Sequence, residues 1–148
     1  MERIEIINKV KKYFNIKELA CPHIYAKFGE TAWMFLSTPL LHTLLILRED
    51  IVNRPMIVNN GTTYTQRGLR CNMCSIVKGK TSSYLSAHVL GEGLDFSCSG
   101  ISAEEIRKLI ASNQNKLPYK IRLESDVTWV HFDCYDNLSN NKISYFKG

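Results

Sequence analysis

The chain has 148 residues, of which 45% are apolar and 22% charged, and a formal net charge of +5. That length buries one core and not two, so a single domain over residues 1–148 is expected. The longest apolar stretch, residues 40–47, is broken by His42 and Thr43 and flanked by Arg48, so no membrane span is expected.

Ile4, Ile7, Val10 and Phe14 recur near the 3.6-residue period and predict a helix over residues 2–14. Because this opening segment interleaves charge with apolar residues, it reads as an amphipathic helix and not as an export signal; synthesis in the cytosol is expected. Residues 16–20 lead to Cys21-Pro22, where the proline interrupts. Over residues 22–37 the large side chains of Tyr25, Phe28, Trp33 and Phe35 predict a short helix plus loop packed on the core. Thr38 as N-cap, with Pro39 in the first turn, opens a second clear helix reaching about Asn53, apolar enough for deep burial. Residues 56–59 predict a short strand ending in the turn signal Asn59-Asn60-Gly61. Residues 61–83 are polar and without period, a long loop of the kind that is usually functional or mobile. A strand follows over residues 94–97, and Ser102-Ala103-Glu104-Glu105 is a capping box that opens a helix ending near Asn113. Residues 119–124 and 128–133 alternate around a polar turn, which predicts a hairpin. The Asn- and Ser-rich last fifteen residues finish in Ile143-Ser144-Tyr145-Phe146, an edge strand or a tail.

Cys21, Cys71, Cys74, Cys98 and Cys134 are odd in number and scattered, which argues for reduced thiols and against a disulfide framework. Cys71-Asn72-Met73-Cys74 has the spacing of half a zinc knuckle, but a knuckle needs a second pair. Cys21, Cys98 or Cys134 would have to join it through the fold, so two ordinary loop thiols are expected. His23 and His42 have no ligand-like company in sequence and are expected in a loop and in a packed helix. The positive charge suits an anionic partner such as an acidic cell-wall polymer. Nucleic acid is not expected, since the basic residues are dispersed and no recognition motif accompanies them.

The residues with chemical promise lie in two segments. In Ser86-Ala87-His88-Val89-Leu90-Gly91-Glu92-Gly93-Leu94-Asp95, two glycines let the chain turn tightly between a His and an Asp, so both can converge on one point. In Trp129-Val130-His131-Phe132-Asp133, the strand period of two places Trp129, His131 and Asp133 on one face. Two imidazoles and a carboxylate, His88, Asp95 and His131, make a catalytic zinc set with one position left for water, whose pKa the ion lowers toward about 7. A proton acceptor must stand beside that water. A turn centred between Asp126 and Val127 would set Glu124 opposite Trp129, on the face of His131, so Glu124 is the first candidate for general base and Asp126 the second.

These segments resemble the S-x-H-x-x-G-x-x-x-D and W-x-H signatures of the D-alanyl-D-alanine carboxypeptidase and dipeptidase superfamily, which includes phage L-alanyl-D-glutamate endopeptidases and shares its zinc-binding fold with the hedgehog domain. Asn60-Gly61 followed by Gln66-Arg67-Gly68-Leu69-Arg70 is similar to the S-G-x-R element, and the likeness extends over residues 15–133. The best-known members carry a Glu three residues before the last His, where this chain has Thr128, and Gly93 stands where Ala is common. The resemblance implies an α+β fold with a small antiparallel sheet, helices on one side and a zinc cleft across it. It also implies a phage- or prophage-encoded zinc peptidase acting on peptidoglycan stem peptides; a monomer is expected. On this likeness Arg70 reaches the substrate carbonyl or carboxylate, Ser86 steadies the His88 loop and Trp129 walls the cleft. Such an enzyme, made in the host cytoplasm, would meet the wall through a holin-like partner or inside a virion. The other reading is a phage or prophage structural or binding protein that keeps the zinc fold without peptidase activity.

Overall fold

The computed structural model describes residues 1–136 and 138–148; Asn137, within the Asn- and Ser-rich stretch, lies outside the described residues. Helix α1 (Arg3–Val10) buries Ile6, Ile7 and Val10, while Ile4 faces solvent, so the apolar face is rotated from the one its period predicts. Phe14 reaches the core from the turn that follows. Helix α2 (Ile16–Leu19) is one turn long and starts at a capping box, with the Glu18 N–H donating to Asn15 Oδ1 and the Asn15 N–H to Glu18 Oε2. Helix α3 (Pro22–Phe28) begins with Pro22 in its first turn and runs into a 3₁₀ segment, Gly29–Phe35.

Helix α4 (Thr38–Ile46) is capped one residue earlier than predicted, because the Leu40 N–H donates to Ser37 Oγ at 3.2 Å. Its buried leucines, Leu40, Leu41, Leu44 and Leu45, form the centre of the helical layer, and a π-helical turn, Leu47–Ile51, ends it. The predicted strand at residues 56–59 reduces to a single bridge, Ile57 to Ser97. Residues 61–83 contain one helical turn, α5 (Ser75–Lys78), and are otherwise irregular. They are fastened to the helices nonetheless: the Leu69 N–H donates to the Leu19 carbonyl and the Cys21 N–H to the Leu69 carbonyl, each at 2.9 Å. A side chain at Gly68 would run into the Leu19 carbonyl, so the close approach requires glycine.

Four strands follow, β1 (Gly93–Phe96), β2 (Ile121–Glu124), β3 (Val130–Asp133) and β4 (Ile143–Phe146), in the order β1-β3-β2-β4. β3 pairs antiparallel with both β1 and β2, but β4 lies parallel to β2, so the sheet is mixed and not antiparallel as expected. The physical reason is the connection after β3: it crosses back to the start of β2, matching Ile143 with Ile121, before the chain turns into its last strand. Between β1 and β2, helix α6 (Ala103–Ser112) opens at the predicted Ser102 capping box and packs against β3.

Strand alternation gives the sheet two unlike faces. Leu94, Phe96, Ile121, Leu123, Val130 and Phe132 are fully buried and join the helices in one core. Asp95, Arg122, Glu124, His131 and Asp133 carry the other parity, so the second face is polar across β1, β2 and β3, with Phe146 of β4 on it beside Glu124. The fold is α+β, and no single helix among the described residues is long and apolar enough to cross a membrane.

Candidate metal centre

Asp95 and His131 are directly paired residues of β1 and β3, which places their side chains side by side on the polar face. His88 arrives from the turn before β1. That turn closes at Gly91, whose φ of +69° only glycine adopts easily and where a side chain would meet the Phe35 carbonyl. The outcome is three buried ligand groups, His88, Asp95 and His131, whose donor atoms all lie within 4.8 Å of one another. His88 Nε2 is 3.2 Å from Asp95 Oδ2, and His131 Nδ1 is 2.7 Å from Asp95 Oδ1.

The far nitrogen of each imidazole is fixed. His88 Nδ1 lies 2.9 Å from the Gly68 carbonyl. A carbonyl can only accept, so Nδ1 donates to it, and the ring is turned with Nε2 toward Asp95. His131 Nε2 lies 2.7 Å from Asp133 Oδ2, and Asp133 is held in turn by a two-pronged contact from Arg122, Nε to Oδ1 and Nη2 to Oδ2, each at 2.9 Å. Such outer carboxylate and carbonyl partners orient metal-binding imidazoles and set their tautomers. His88 Nε2, an Asp95 oxygen and His131 Nδ1 together could hold a metal ion.

Without a cation, the same groups form a charged relay. Burial opposes a charge on His131, but the hydrogen bonds to Asp133 and Asp95 outweigh it and push its pKa up to about 9. Burial would likewise raise the Asp95 carboxyl, yet the two histidines hold it well below the usual carboxylate range. Asp133 is lowered too, against its burial, by His131 and Arg122.

Around this centre is a cleft of about 430 Å³, bounded among others by Arg70, Tyr84, Ser86, Glu124, Trp129 and Phe146. Comparison with models of protein families, with curated proteins and with solved structures finds no match. Arg70 directs Nη2 toward Asp95 Oδ2 at 3.6 Å and is anchored by Nε donating to the Gln66 carbonyl at 2.6 Å. Ser86 Oγ accepts the His88 N–H at 3.3 Å, and so touches the ligand loop. Trp129 lines the cleft, and its buried indole N–H has no partner among the described residues. A larger depression of about 720 Å³ lies between residues 12–18 and 55–61. Its ionisable groups are engaged separately, Glu18 in the α2 cap and Arg48 over the Tyr13 ring, and do not converge.

The two base candidates separate clearly. The register that pairs Arg122 with Asp133 and Leu123 with Phe132 continues to Glu124 opposite His131. The turn is thus centred between Val127 and Thr128, not between Asp126 and Val127, which moves the partner of Glu124 by two residues and preserves its face. Asp126 is exposed at φ +61°, paired with Lys147 at 3.4 Å and outside the cleft.

Asp133, Arg122 and Arg107 are functional supports that the sequence did not mark as such. The guanidinium of Arg107, on α6, donates to the Trp129 and Val127 carbonyls at 2.9 and 3.0 Å and so fixes the turn that presents Trp129. The period of two did place Asp133 beside His131; Arg122 and Arg107 left no signal beyond a charged residue in a strand or helix of apolar neighbours. Gly93 has a local reason as well, since an added Cβ would lie 2.7 Å from the Ala87 methyl carbon and 3.3 Å from His131 Cε1.

Proposed function

We propose that this chain is a zinc peptidase that hydrolyses peptide bonds in peptidoglycan stems, with the cleft and fold type of the D-alanyl-D-alanine peptidases and hedgehog domains, serving a phage as a lysis enzyme or virion component. The observation that carries this reading is the convergence of His88, Asp95 and His131 at a cleft that also holds Arg70, Glu124 and Trp129. Zinc in such a site would polarise the scissile carbonyl and acidify a water. Arg70 would bind the carbonyl or carboxylate of the stem peptide and offset negative charge as it builds on oxygen. Glu124 would take a proton from the attacking water and return it to the leaving amine. The Trp129 ring would wall the cleft against the bound peptide.

The test is digestion of purified peptidoglycan by the zinc-loaded protein, with the fragments identified by mass spectrometry. Glu124→Gln should lower the rate at least about a hundredfold while zinc is retained. Absence of new peptide termini from several wall types, with Glu124→Gln indistinguishable from wild type, would remove the proposal. One observation favours the alternative of a binding protein that keeps the fold: His131 is already satisfied by two carboxylates without any cation. On that reading no wall would be cleaved, whether or not zinc is bound.

A further inference from the structure

Away from the cleft, three of the five cysteines meet a histidine. Cys21 and His23 come from the start of α3, and Cys71 and Cys74 from the irregular segment that lies against it. The four ligand atoms lie within 4.8 Å of one another. Cys21 Sγ and Cys71 Sγ are 3.6 Å apart, and Cys74 Sγ is 4.0 Å from His23 Nδ1. We propose that Cys21, His23, Cys71 and Cys74 bind a structural zinc ion, distinct from the one assigned to the cleft.

Three arguments support this. The first is geometric. Zn–S bonds of about 2.3 Å at tetrahedral angles put sulfurs about 3.8 Å apart, close to the observed spacing and far from the ~2.05 Å of a disulfide. The second concerns the sulfurs' own partners. The Ile24 N–H donates to Cys21 Sγ and the Met73 N–H to Cys71 Sγ, each at 3.4 Å, contacts that hold the two sulfurs in place and orient them toward one point. The third is chemical: a complete Cys₃His set, with no carboxylate and no spare position, is a closed structural set and not a catalytic one.

The ion would also explain how the long polar segment is ordered. Cys21 and Cys71 are fifty residues apart in sequence, and a metal joining them closes a long loop. Cys71 directly follows Arg70, whose N–H donates to the His88 carbonyl at 3.1 Å, so this clamp fixes the strip that presents Arg70 to the cleft.

Cobalt substitution tests the site without relying on activity. The full chain loaded with Co²⁺ should show thiolate-to-metal charge-transfer absorption, retained in His131→Ala and lost in Cys71→Ser/Cys74→Ser. Since the double variant removes buried sulfur and could unfold, His23→Ala, at an exposed position, supplies the second arm. Its zinc should be stripped at a chelator concentration at least about tenfold lower than wild type needs, because one of four ligands is gone. Titrating the thiols of the native zinc protein with a mercurial should release one ion per chain, in wild type and in His131→Ala alike. A cobalt spectrum without thiolate bands, a Cys21–Cys71 disulfide in the purified protein, or unaltered zinc retention in His23→Ala would each overturn the assignment. Because His131→Ala leaves these readouts intact, their failure is separable from failure of the peptidase reading.

Discussion

Stripped of metal, the protein should lose stability as the medium becomes alkaline, and His131 sets the window. Its pKa in the folded chain is about 9 against an ordinary 6.5, so between those values the folded state keeps a proton that the unfolded chain has shed. The contribution is fully present below pH 6.5 and gone once pH has passed about 9. At 1.36 kcal/mol per pKa unit, it is on the order of 3 kcal/mol, a large part of the stability of a domain this size. At the acid end the sign reverses: the lowered Asp95 and Asp133 carboxyls withdraw their stabilisation as pH falls below about 4. Metal-free protein should therefore be most resistant to urea between about pH 4 and 6.5. Unfolding curves at pH 6 and pH 9.5, in chelator, would give wild type a drop that His131→Gln largely lacks. Zinc should invert the trend, because it competes with a proton at His131 Nδ1, so its affinity should climb by up to about tenfold per pH unit until pH 9. Equal pH slopes in wild type and His131→Gln would refute the imidazolium clamp between Asp95 and Asp133.

Two further substitutions probe what supports the centre. Asp133→Asn turns an amide toward Arg122 or His131 in place of a buried carboxylate that accepts from both. We expect zinc affinity at the cleft to fall about 10–100-fold and urea unfolding to register a loss of about 3–5 kcal/mol. Gly91→Ala imposes a side chain at φ +69° and directs it at the Phe35 carbonyl, so thermal unfolding should show at least about 2 kcal/mol of destabilisation.

The sequence by itself determined the local elements and the parity of the site. Periodicity located α1 and the β2–β3 hairpin, Pro39 in a first turn located α4 and the Ser102 box located α6, because caps and apolar spacing act through neighbours a few residues away. Alternation also put Glu124, His131 and Asp133 on one face, since a shift of register by two residues, as happened at Glu124, leaves the face unchanged. Tertiary structure decided whatever depends on segments distant along the chain. The parallel pairing of β4, the carbonyl of Gly68 behind His88 and the Arg122–Asp133 support behind His131 all arise from contacts that no local pattern encodes. The same holds for Cys21 and His23, expected apart from Cys71 and Cys74 because fifty residues separate them, and brought together by two backbone hydrogen bonds between residues 19–21 and Leu69. Local order is written in short-range sterics and hydrogen bonding, whereas ligand spheres are assembled only when the core closes and brings distant backbones into register.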